Sequence, residues 1–230
     1  MKFLQSPFSE FLVSRTAHLP PPQLLQVRKG KALWPTAPLG FRYRIIKRLL
    51  DIILTSFFFI FILSWLIPIL VFMNWIDGNV PIFFVQKRVG FNNRLFFCYK
   101  LRSIRKDKAE SISPWAHFIR CHKLDELPQF MNVLKGEMSI VGPRPHMMSD
   151  HKAFSRAVGK GYFDRHRVLP GITGLAQVNG FEGPITSLDK LQGRLQYDLL
   201  YIEEWSLWLD VKIMMKTLCY ISKGLIRKTK

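Results

Sequence analysis

Cysteine and histidine are scarce in this chain, and their spacing excludes the common metal and disulfide frameworks. The three cysteines lie far apart and form no C-x-x-C pair: Cys98, Cys121 and Cys219. The six histidines show neither H-x-x-x-H nor H-E-x-x-H spacing. We therefore expect neither a disulfide framework nor a zinc site, and the cysteine usage fits a reducing compartment.

Acidic residues are also few, so the chain is strongly basic. Its 16 Asp and Glu stand against 34 Lys and Arg, which gives a formal net charge of +18. Such an excess predicts an anionic partner: nucleic acid, a phospholipid surface or a phosphorylated substrate. With 13% aromatic residues the chain is too apolar for a disordered basic tail, and its 230 residues suit one domain of ordinary size.

Charge is absent altogether from residues 52–76, IILTSFFFIFILSWLIPILVFMNWI. A run of this length can span the roughly 30 Å apolar core of a bilayer. It begins too far into the chain for a signal peptide, and no small-residue cleavage site follows it. Basic residues flank it on both sides, upstream at Arg42, Arg44, Lys47 and Arg48, and downstream from Lys87 to Lys106. The positive-inside tendency therefore pulls both ends to the cytoplasmic side.

A single spanning helix cannot satisfy both flanks, and Pro68 offers another path. A proline inside a helix removes the hydrogen bond to the carbonyl of Ser64 and bends the helix. The hydroxyls of Ser64, Thr55 and Ser56 could satisfy the freed backbone groups in lipid. These residues indicate a re-entrant helix that breaks between Ser64 and Pro68, with an ordinary single-pass anchor as the alternative.

A β-hairpin is predicted after the apolar segment. In VPIFFVQKRVGFNNRLFFCYKLRSI, two apolar, aromatic runs flank a Gly/Asn turn. Lys100 and Arg102 lie two residues apart on the second run, so in a strand they share one face. They form either a phosphate clamp or the charged edge of a solvated strand.

Two adjacent acids stand out in KLDELPQFMNVLKGEMSIVGPRP. The apolar residues after them have helical spacing, Pro128 fits the first turn of a helix and Gly136 fits its C-terminal end. Asp125 is then predicted as the N-cap, at the positive end of a helix that suits carboxylates and an incoming phosphate. On the simpler interpretation Asp125 is nothing but a cap, and Glu126 is a neighbour matched to the helix dipole.

Arginines near the acid pair favour chemistry over capping. Arg144 lies between Pro143 and Pro145, which reduce backbone freedom around a guanidinium that can bind phosphate through two N–H groups. Arg120 precedes Asp125 by one and a half helical turns. An acid pair with such cations is what magnesium-dependent phosphoryl transfer needs: a hard oxygen ligand for the metal, a nucleophile or base, and positive charge around the phosphate.

Two further segments contain candidate binding residues. RHRVLPGITGLAQVNG is rich in glycine, so its backbone amides could approach a ligand closely, unless the segment is simply a surface turn. Its polar side chains are Arg165, Arg167, Gln177 and Asn179. The C-terminal stretch predicts one or two amphipathic helices. Its apolar residues either lie in the lipid headgroup region or form a core stripe: Trp205, Trp208, Ile213, Met214 and Leu218.

Taken in order, the motifs resemble those of one family. KRLLD precedes the apolar segment, and QKRVG, YKLRSI, LDELPQFMNVLKGEMSIVGPRP, PGITGLAQVNG and WSLWLD follow it. This order, over about residues 41–222, resembles the bacterial sugar transferases, which are monotopic polyprenol-phosphate phosphoglycosyl transferases. The resemblance implies transfer of a sugar-1-phosphate from a UDP-sugar to undecaprenyl phosphate, with release of UMP, as the first membrane step of a surface glycan.

The resemblance also implies roles for individual residues. Asp125 matches the nucleophile that forms a covalent phosphosugar adduct, and Glu126 matches the acid that holds Mg²⁺. Lys100, Arg120 and Arg144 match cations that lie near the phosphates in the family. The full set of expected substrate-binding residues also includes Arg102, Arg165, Gln177 and Asp198. The family anchor is a re-entrant helix, which agrees with the first interpretation of the apolar segment.

The predicted fold is α+β and mostly helical: a monotopic membrane protein with a re-entrant membrane helix, a small β-hairpin and interfacial amphipathic helices. We expect a flexible cytoplasmic arm at residues 1–40, the membrane helix at 41–78 and a cytoplasmic catalytic domain at 79–230. That domain is expected on the cytoplasmic face of a bacterial inner membrane. The expected partners are a UDP-sugar, undecaprenyl phosphate and anionic phospholipid, and a homodimer is compatible with the resemblance.

Three features depart from the family pattern. Phe181 stands where an arginine commonly follows QVNG, so one phosphate contact is either missing or supplied by Arg165 or Arg167. The family's Ser-Pro pair in the membrane helix is replaced by Ser64 and a later Pro68. The stretch between Arg102 and Arg120 is short, which predicts an abbreviated loop over the site.

Two other functions compete with the transferase. The charge alone would suit a membrane-tethered nucleic-acid binder, whose binding should fall steeply with salt. No helix-turn-helix or RNA-binding motif is present, so nucleic acid is not an expected partner. Phe181 would suit a catalytically silent family member with a scaffold role, and the intact Asp125 and Glu126 argue against that.

Overall fold

The computed structural model describes residues 41–104 and 112–226. The arm predicted at residues 1–40 and much of the short stretch before Arg120 lie outside the described residues. Helices dominate the described chain and the sheets are small, as predicted. The helices are α1 (Phe41–Phe58), α2 (Ser64–Ile76), α3 (Pro114–Cys121), α4 (Gln129–Lys135), α5 (Met148–Val158), α6 (Leu175–Val178), α7 (Leu188–Glu203) and α8 (Leu207–Ile226). The strands are β1 (Phe83–Val89), β2 (Leu95–Leu101), β3 (Ser139–Val141) and β4 (Gly171–Thr173).

In the described part of the chain, one helical run is long and apolar enough to cross a membrane. It joins α1 to α2 through a π-helical turn at Phe59–Leu63, the kind of irregularity that kinks helices. Ser64 Oγ and Trp65 Nε1 each donate to the carbonyl four residues earlier, at 2.6 and 2.9 Å. The irregular turn thus precedes Ser64, earlier than the predicted break, and the chain remains helical through Pro68.

The charged residues of the KRLLD motif, within α1, bind α1 to the rest of the domain. Lys47 forms an ion pair with Asp210 of α8, with 2.7 Å between Nζ and Oδ2. Arg48 donates to two carbonyls at the end of α4, at 2.5 and 2.8 Å. The Oδ1 atom of Asp51 accepts the amide N–H of Ile140 in β3 at 3.0 Å. The charged residues beside the apolar run therefore tie α1 to α4, β3 and α8.

The other end of the run contacts the same domain. Asn74, near the end of α2, donates from Nδ2 to the carbonyl of Arg102 at 2.9 Å. Leu70 of α2 is buried in a cluster with Leu101 of β2 and Ile119 of α3. Both ends of the apolar run are thus bound to one folded unit.

Strands β1 and β2 form the predicted antiparallel hairpin, with Phe84 opposite Lys100 and Arg88 opposite Phe96. Two asparagines in the turn adopt positive φ values of 49° and 59°, which asparagine accepts more readily than most residues. Phe96 and Cys98 are buried against α4. Because side chains alternate along a strand, Lys100 lies on the same face as these two residues and is directed into the domain.

The sequence did not predict the second sheet, a parallel pair of β3 and β4 in which Ser139 lies opposite Gly171. A Cβ at Gly142, Gly171 or Gly174 would overlap a neighbouring main-chain atom, so these glycines allow backbone to pack on backbone. The segment predicted as a loop that approaches a ligand therefore forms a strand and the short helix α6. Because its glycines have no side chains, other parts of the main chain pack closely against it.

The C-terminal stretch folds as two helices, α7 and α8, within the predicted range of one or two. Ile213 is buried in a core cluster, and Trp205 and Met214 pack against that cluster. These three residues belong to the core stripe that the sequence left as an alternative to the lipid interface. Other residues of α8 form an exposed apolar face, and their side chains are 40–65% exposed: Trp208, Val211, Met215 and Leu218.

Candidate active site

The acid pair lies in a tight turn between two helices. Asp125 and Glu126 belong to a 3₁₀ turn of three residues that follows α3. Lys123, just before it, has a φ of 58°, a left-handed conformation that is uncommon for lysine. The N-cap of α4 is Pro128, so the prediction of Asp125 as the N-cap is wrong, because the chain completes a 3₁₀ turn before the α-helix begins. Gly136 ends α4 with a φ of 80°, as predicted.

Two cations hold Glu126. Its carboxylate accepts a hydrogen bond from Lys100 Nζ at 2.7 Å, and both terminal nitrogens of Arg144 bind it as a fork. Burial opposes the ionisation of Glu126, but Arg144 and Lys100 more than offset burial and hold the pKa of this carboxyl well below its usual range. The structure thus joins three residues that the sequence selected from β2, the acid pair and the Pro-Arg-Pro loop.

Asp125 has a different environment. It is half-buried, and among the described residues nothing donates a hydrogen bond to its carboxylate. Burial, followed by the charge of Glu126, raises the pKa of Asp125, while Lys100, Arg120 and Lys123 act in the opposite direction. Neighbouring carboxylates with opposite pKa shifts are typical of sites where two acids have different tasks. Glu126 is committed to cations, and Asp125 is the reactive candidate.

Arg165 and Asp198, both predicted to bind substrate, lie on the interior side of the Pro-Arg-Pro loop. Each is 2% exposed, and they pair through two hydrogen bonds of 3.0 and 2.7 Å. Arg165 also donates to the carbonyl of Arg144 at 2.7 Å. The structure therefore places these two residues in the interior, where they support the main chain of the loop.

The remaining predicted residues lie farther from the acid pair. Arg120 is exposed at the end of α3, and its charge acts on Asp125. Arg102 donates from Nε to the carbonyl of Pro81 at 2.7 Å, and no contact among the described residues joins it to the acid pair. Gln177 donates to a carbonyl in β4 at 3.1 Å. Of these three, Arg120 is the one placed to act on the acids.

Phe181, which departs from the family pattern, is a packing residue in this structure. The centroid of its ring lies 5.4 Å from that of Tyr197, and a Cβ at Gly193 of α7 would overlap the ring. Arg194 donates to the carbonyls of Phe181 and Gly183, at 2.9 and 2.8 Å. An aromatic ring packed on α7 thus takes the place of the cation expected after QVNG.

Sequence reasoning missed some residues that surround the loop. Arg88 of β1 donates to the carbonyl of Pro145 at 2.7 Å. At the end of the same loop, His146 Nδ1 lies 2.6 Å from the hydroxyl of Tyr162. The QKRVG motif was the available signal for Arg88, but choosing between it and Lys87 requires the strand register, which the motif does not contain.

The acid pair can supply only a few of the ligands that a divalent ion needs. Among the described residues, no group of three or more His, Cys, Asp or Glu side chains could hold a metal. A carboxylate has about four lone-pair positions, and Lys100 and Arg144 occupy three of those on Glu126, which leaves one on Oε2. Mg²⁺ often binds one or two carboxylates and completes its shell with water and substrate phosphate. The residues therefore fit Mg²⁺ as an ion shared with a phosphorylated substrate.

Comparison with known proteins agrees with these features. A family model described as bacterial sugar transferase matches residues 42–224. Proteins named UDP-glucose:undecaprenyl-phosphate glucose-1-phosphate transferase, from Klebsiella pneumoniae and Escherichia coli K12, are 41% and 38% identical to this chain over 84% and 83% of its length. The protein of that name from Caulobacter vibrioides is 32% identical over 93% of the chain and 83% of its own length.

The described fold and site define a mostly helical domain with an apolar helix and an acid pair enclosed by basic side chains. The chain belongs to the bacterial sugar transferase family. It spans 43% and 42% of the Klebsiella and Escherichia relatives, less than half of their length.

Proposed function

We propose that this protein transfers a sugar-1-phosphate from a UDP-sugar to undecaprenyl phosphate, which gives undecaprenyl-diphosphate-sugar and UMP. Family membership and the names of the relatives support the reaction class and both substrates. The observation that carries the proposal is the contrast within the acid pair: Lys100 and Arg144 hold Glu126, while Asp125 remains uncommitted. The reaction would be the first membrane step of a surface glycan.

Asp125 is the proposed nucleophile. Its Oδ forms a bond to the β-phosphorus of the donor as the bond from that phosphorus to the bridging oxygen breaks, and UMP leaves with the bridging oxygen. An oxygen of undecaprenyl phosphate then attacks the same phosphorus, and the Oδ–P bond breaks to restore the carboxylate. Two steps allow one site to serve a soluble donor and a lipid-linked acceptor in turn.

The cations around Asp125 address the main obstacle, which is repulsion between a carboxylate and a phosphate. The side chains of Lys100 and Arg144 are 15% and 19% exposed, and charges act more strongly where water is largely excluded. Arg120, exposed at the end of α3, would add a further positive charge for the donor diphosphate. Mg²⁺ bound through the remaining lone pair of Glu126 would supply further neutralisation of phosphate charge.

We also infer that the apolar run is a re-entrant anchor, and α4 supports this inference. The last turn of α4 meets Arg48, and near its start the ring centroid of Phe130 lies 4.8 Å from that of Phe58. Residues 48–58 of α1 rise by about 15 Å. The start of α4 and the acid pair before it therefore lie beside the apolar part of α1, well beyond the charged residues near its N-terminus.

Helix α2, the second half of the apolar run, supports the same arrangement. Leu124 and Leu127, which flank the acid pair, pack against the cluster that contains Leu70 of α2. With α1 on one side and α2 on the other, the acid pair would lie at the lipid boundary, where a polyprenol phosphate resides. The exposed apolar face of α8 suits contact with the same surface.

The direct test of the function is UMP release. The protein in nanodiscs that contain undecaprenyl phosphate is expected to release UMP from a UDP-sugar and to form an equal amount of lipid-linked sugar diphosphate, in a reaction that requires Mg²⁺. UDP-glucose is the first donor to try because the three relatives are named for it, and a panel of UDP-sugars would identify the preferred one. A folded protein that releases no UMP from any member of the panel would refute the function.

The anchor makes a separate prediction about topology. Single cysteines placed before Arg42 and after Lys106, in a variant that lacks the three native cysteines, are both expected to react with a membrane-impermeant reagent only from the cytoplasmic side. In intact cells both should be protected, and in inverted vesicles both should be labelled. Labelling of the two sites from opposite sides would establish a single-pass helix instead.

A further inference from the structure

The loop that presents Arg144 is held by its main-chain carbonyls. Prolines on both sides of Arg144 have no N–H to donate, so the carbonyls are the principal attachment points of this loop. Each carbonyl from residue 143 to residue 146 accepts a hydrogen bond from outside the loop. The pairs are Gly171 N to Pro143 at 3.0 Å, Arg165 Nη2 to Arg144 at 2.7 Å, Arg88 Nη1 to Pro145 at 2.7 Å and Val89 N to His146 at 3.0 Å.

Arg88 is the unusual donor in this set: its side chain is half-buried, and a guanidinium largely removed from water normally faces a carboxylate. Its two acceptors are neutral, the carbonyl of Pro145 and the side-chain oxygen of Gln86. Its Nε is buried without a partner among the described residues, and burial lowers the pKa of Arg88. Such a placement costs stability, and residues that break a local rule in this way are expected at functional sites.

The hairpin connects Arg88 to the acid pair. Arg88 lies opposite Phe96, and Lys100 is four residues further along β2, so Arg88 and Lys100 share one face. Lys100 binds Glu126 directly, and Arg88 binds the loop whose guanidinium binds the same carboxylate. A single two-stranded element therefore fixes both cations of Glu126 relative to each other.

We propose that Arg88 is a positioning residue for Arg144. By holding the Pro145 carbonyl, it keeps the Arg144 guanidinium in place against Glu126 and against the donor phosphate during the reaction. This role rests on the proposed phosphosugar transfer, and in it Arg88 touches no substrate. Displacing a catalytic group by about 1 Å is enough to lower a rate roughly a hundredfold.

The test is a double-mutant cycle on UMP release by the full chain in nanodiscs. Arg88→Met removes both donors, and it is expected to lower kcat about a hundredfold while changing the KM for UDP-sugar less than about threefold. Arg144→Lys replaces the fork with a flexible point charge that depends less on the main chain. In that background, Arg88→Met is expected to cost less than about threefold. Equal losses in the two backgrounds would overturn the proposal, because Arg88 would then act independently of Arg144.

Two further variants control for folding and for charge. Arg88→Lys keeps the charge and one hydrogen-bonding nitrogen, and it should recover at least about tenfold of the lost activity. If Arg88→Met does not fold, Arg88→Lys takes its place in the cycle and must still lose more activity with Arg144 present than with Arg144→Lys. Lys87→Met removes the neighbouring exposed charge and should retain activity within about twofold. An inactive wild type would refute the transferase function, whereas an active wild type with background-independent losses would refute the positioning role alone.

Discussion

Replacing Asp125 with asparagine is expected to lower UMP release by at least about a thousandfold, the scale on which enzymes respond to loss of a covalent nucleophile. The amide nitrogen and oxygen of asparagine occupy nearly the same volume as the carboxylate, so the turn and its cations should remain in place. What disappears is the negative oxygen that forms the bond to phosphorus. Initial rates with saturating UDP-sugar and undecaprenyl phosphate measure the loss.

A second measurement separates loss of the nucleophile from loss of binding. With donor alone and no lipid acceptor, the wild-type protein should gain the mass of a phosphosugar after rapid acid quenching, and a peptide containing Asp125 should carry it. The Asp125→Asn variant should gain none. Asp189→Asn changes an exposed acid at the start of α7 and should behave as wild type. Full activity in Asp125→Asn, or an adduct on another residue, would remove Asp125 from this role.

The features that the sequence predicted correctly depend on local chemistry. Two aromatic runs around a Gly/Asn turn are sufficient to specify the hairpin, and glycine at residue 136 is sufficient to end α4 in the left-handed conformation. The meeting of Lys100, Glu126 and Arg144 is a different matter, because Glu126 is 26 residues from Lys100 and 18 from Arg144. The acid pair and Arg144 were selected because they lie near one another in the sequence, and the resemblance to a family joined Lys100 to them; local periodicity alone would not have assembled the three.

The features that the sequence missed depend on contacts between distant segments. Strands β3 and β4 have three residues each, too few for an alternating pattern to be visible. The pairing of Arg165 with Asp198, 33 residues away, was not predicted, although both residues were expected to bind substrate. A buried guanidinium suits either a phosphate or a carboxylate, so residue type could not decide between them. Arg88 and Lys87 are likewise equivalent in the sequence until the register of the hairpin directs one of them to the loop.

Glu126→Gln should affect stability and activity together. Glutamine removes the negative charge and leaves Lys100 and Arg144, two largely buried cations, without the carboxylate that pairs with both. Losing one partner of a buried ion pair typically costs about 3–5 kcal/mol, which for a domain of this size lowers the melting temperature by roughly 10 °C. Activity should fall by at least about a hundredfold, since the same change loosens both cations that face the phosphate. The exposed Glu204→Gln is the matched control and should unfold within about 0.5 kcal/mol of wild type.

The pH dependence of that stability difference identifies the charge of Glu126 as its cause. The pKa of Glu126 is depressed in the folded protein, so its carboxylate stabilises the fold fully above the ordinary glutamate pKa near 4.5, and this contribution is lost as pH falls towards the lower folded value. The gap in unfolding free energy between wild type and Glu126→Gln should therefore be constant from neutral pH down to about pH 5.5 and then shrink by up to about 1.4 kcal/mol per pH unit below pH 4.5. A gap that stays constant at pH 3 would mean that the variant is destabilised by altered packing, and that Lys100 and Arg144 do not depend on the Glu126 charge.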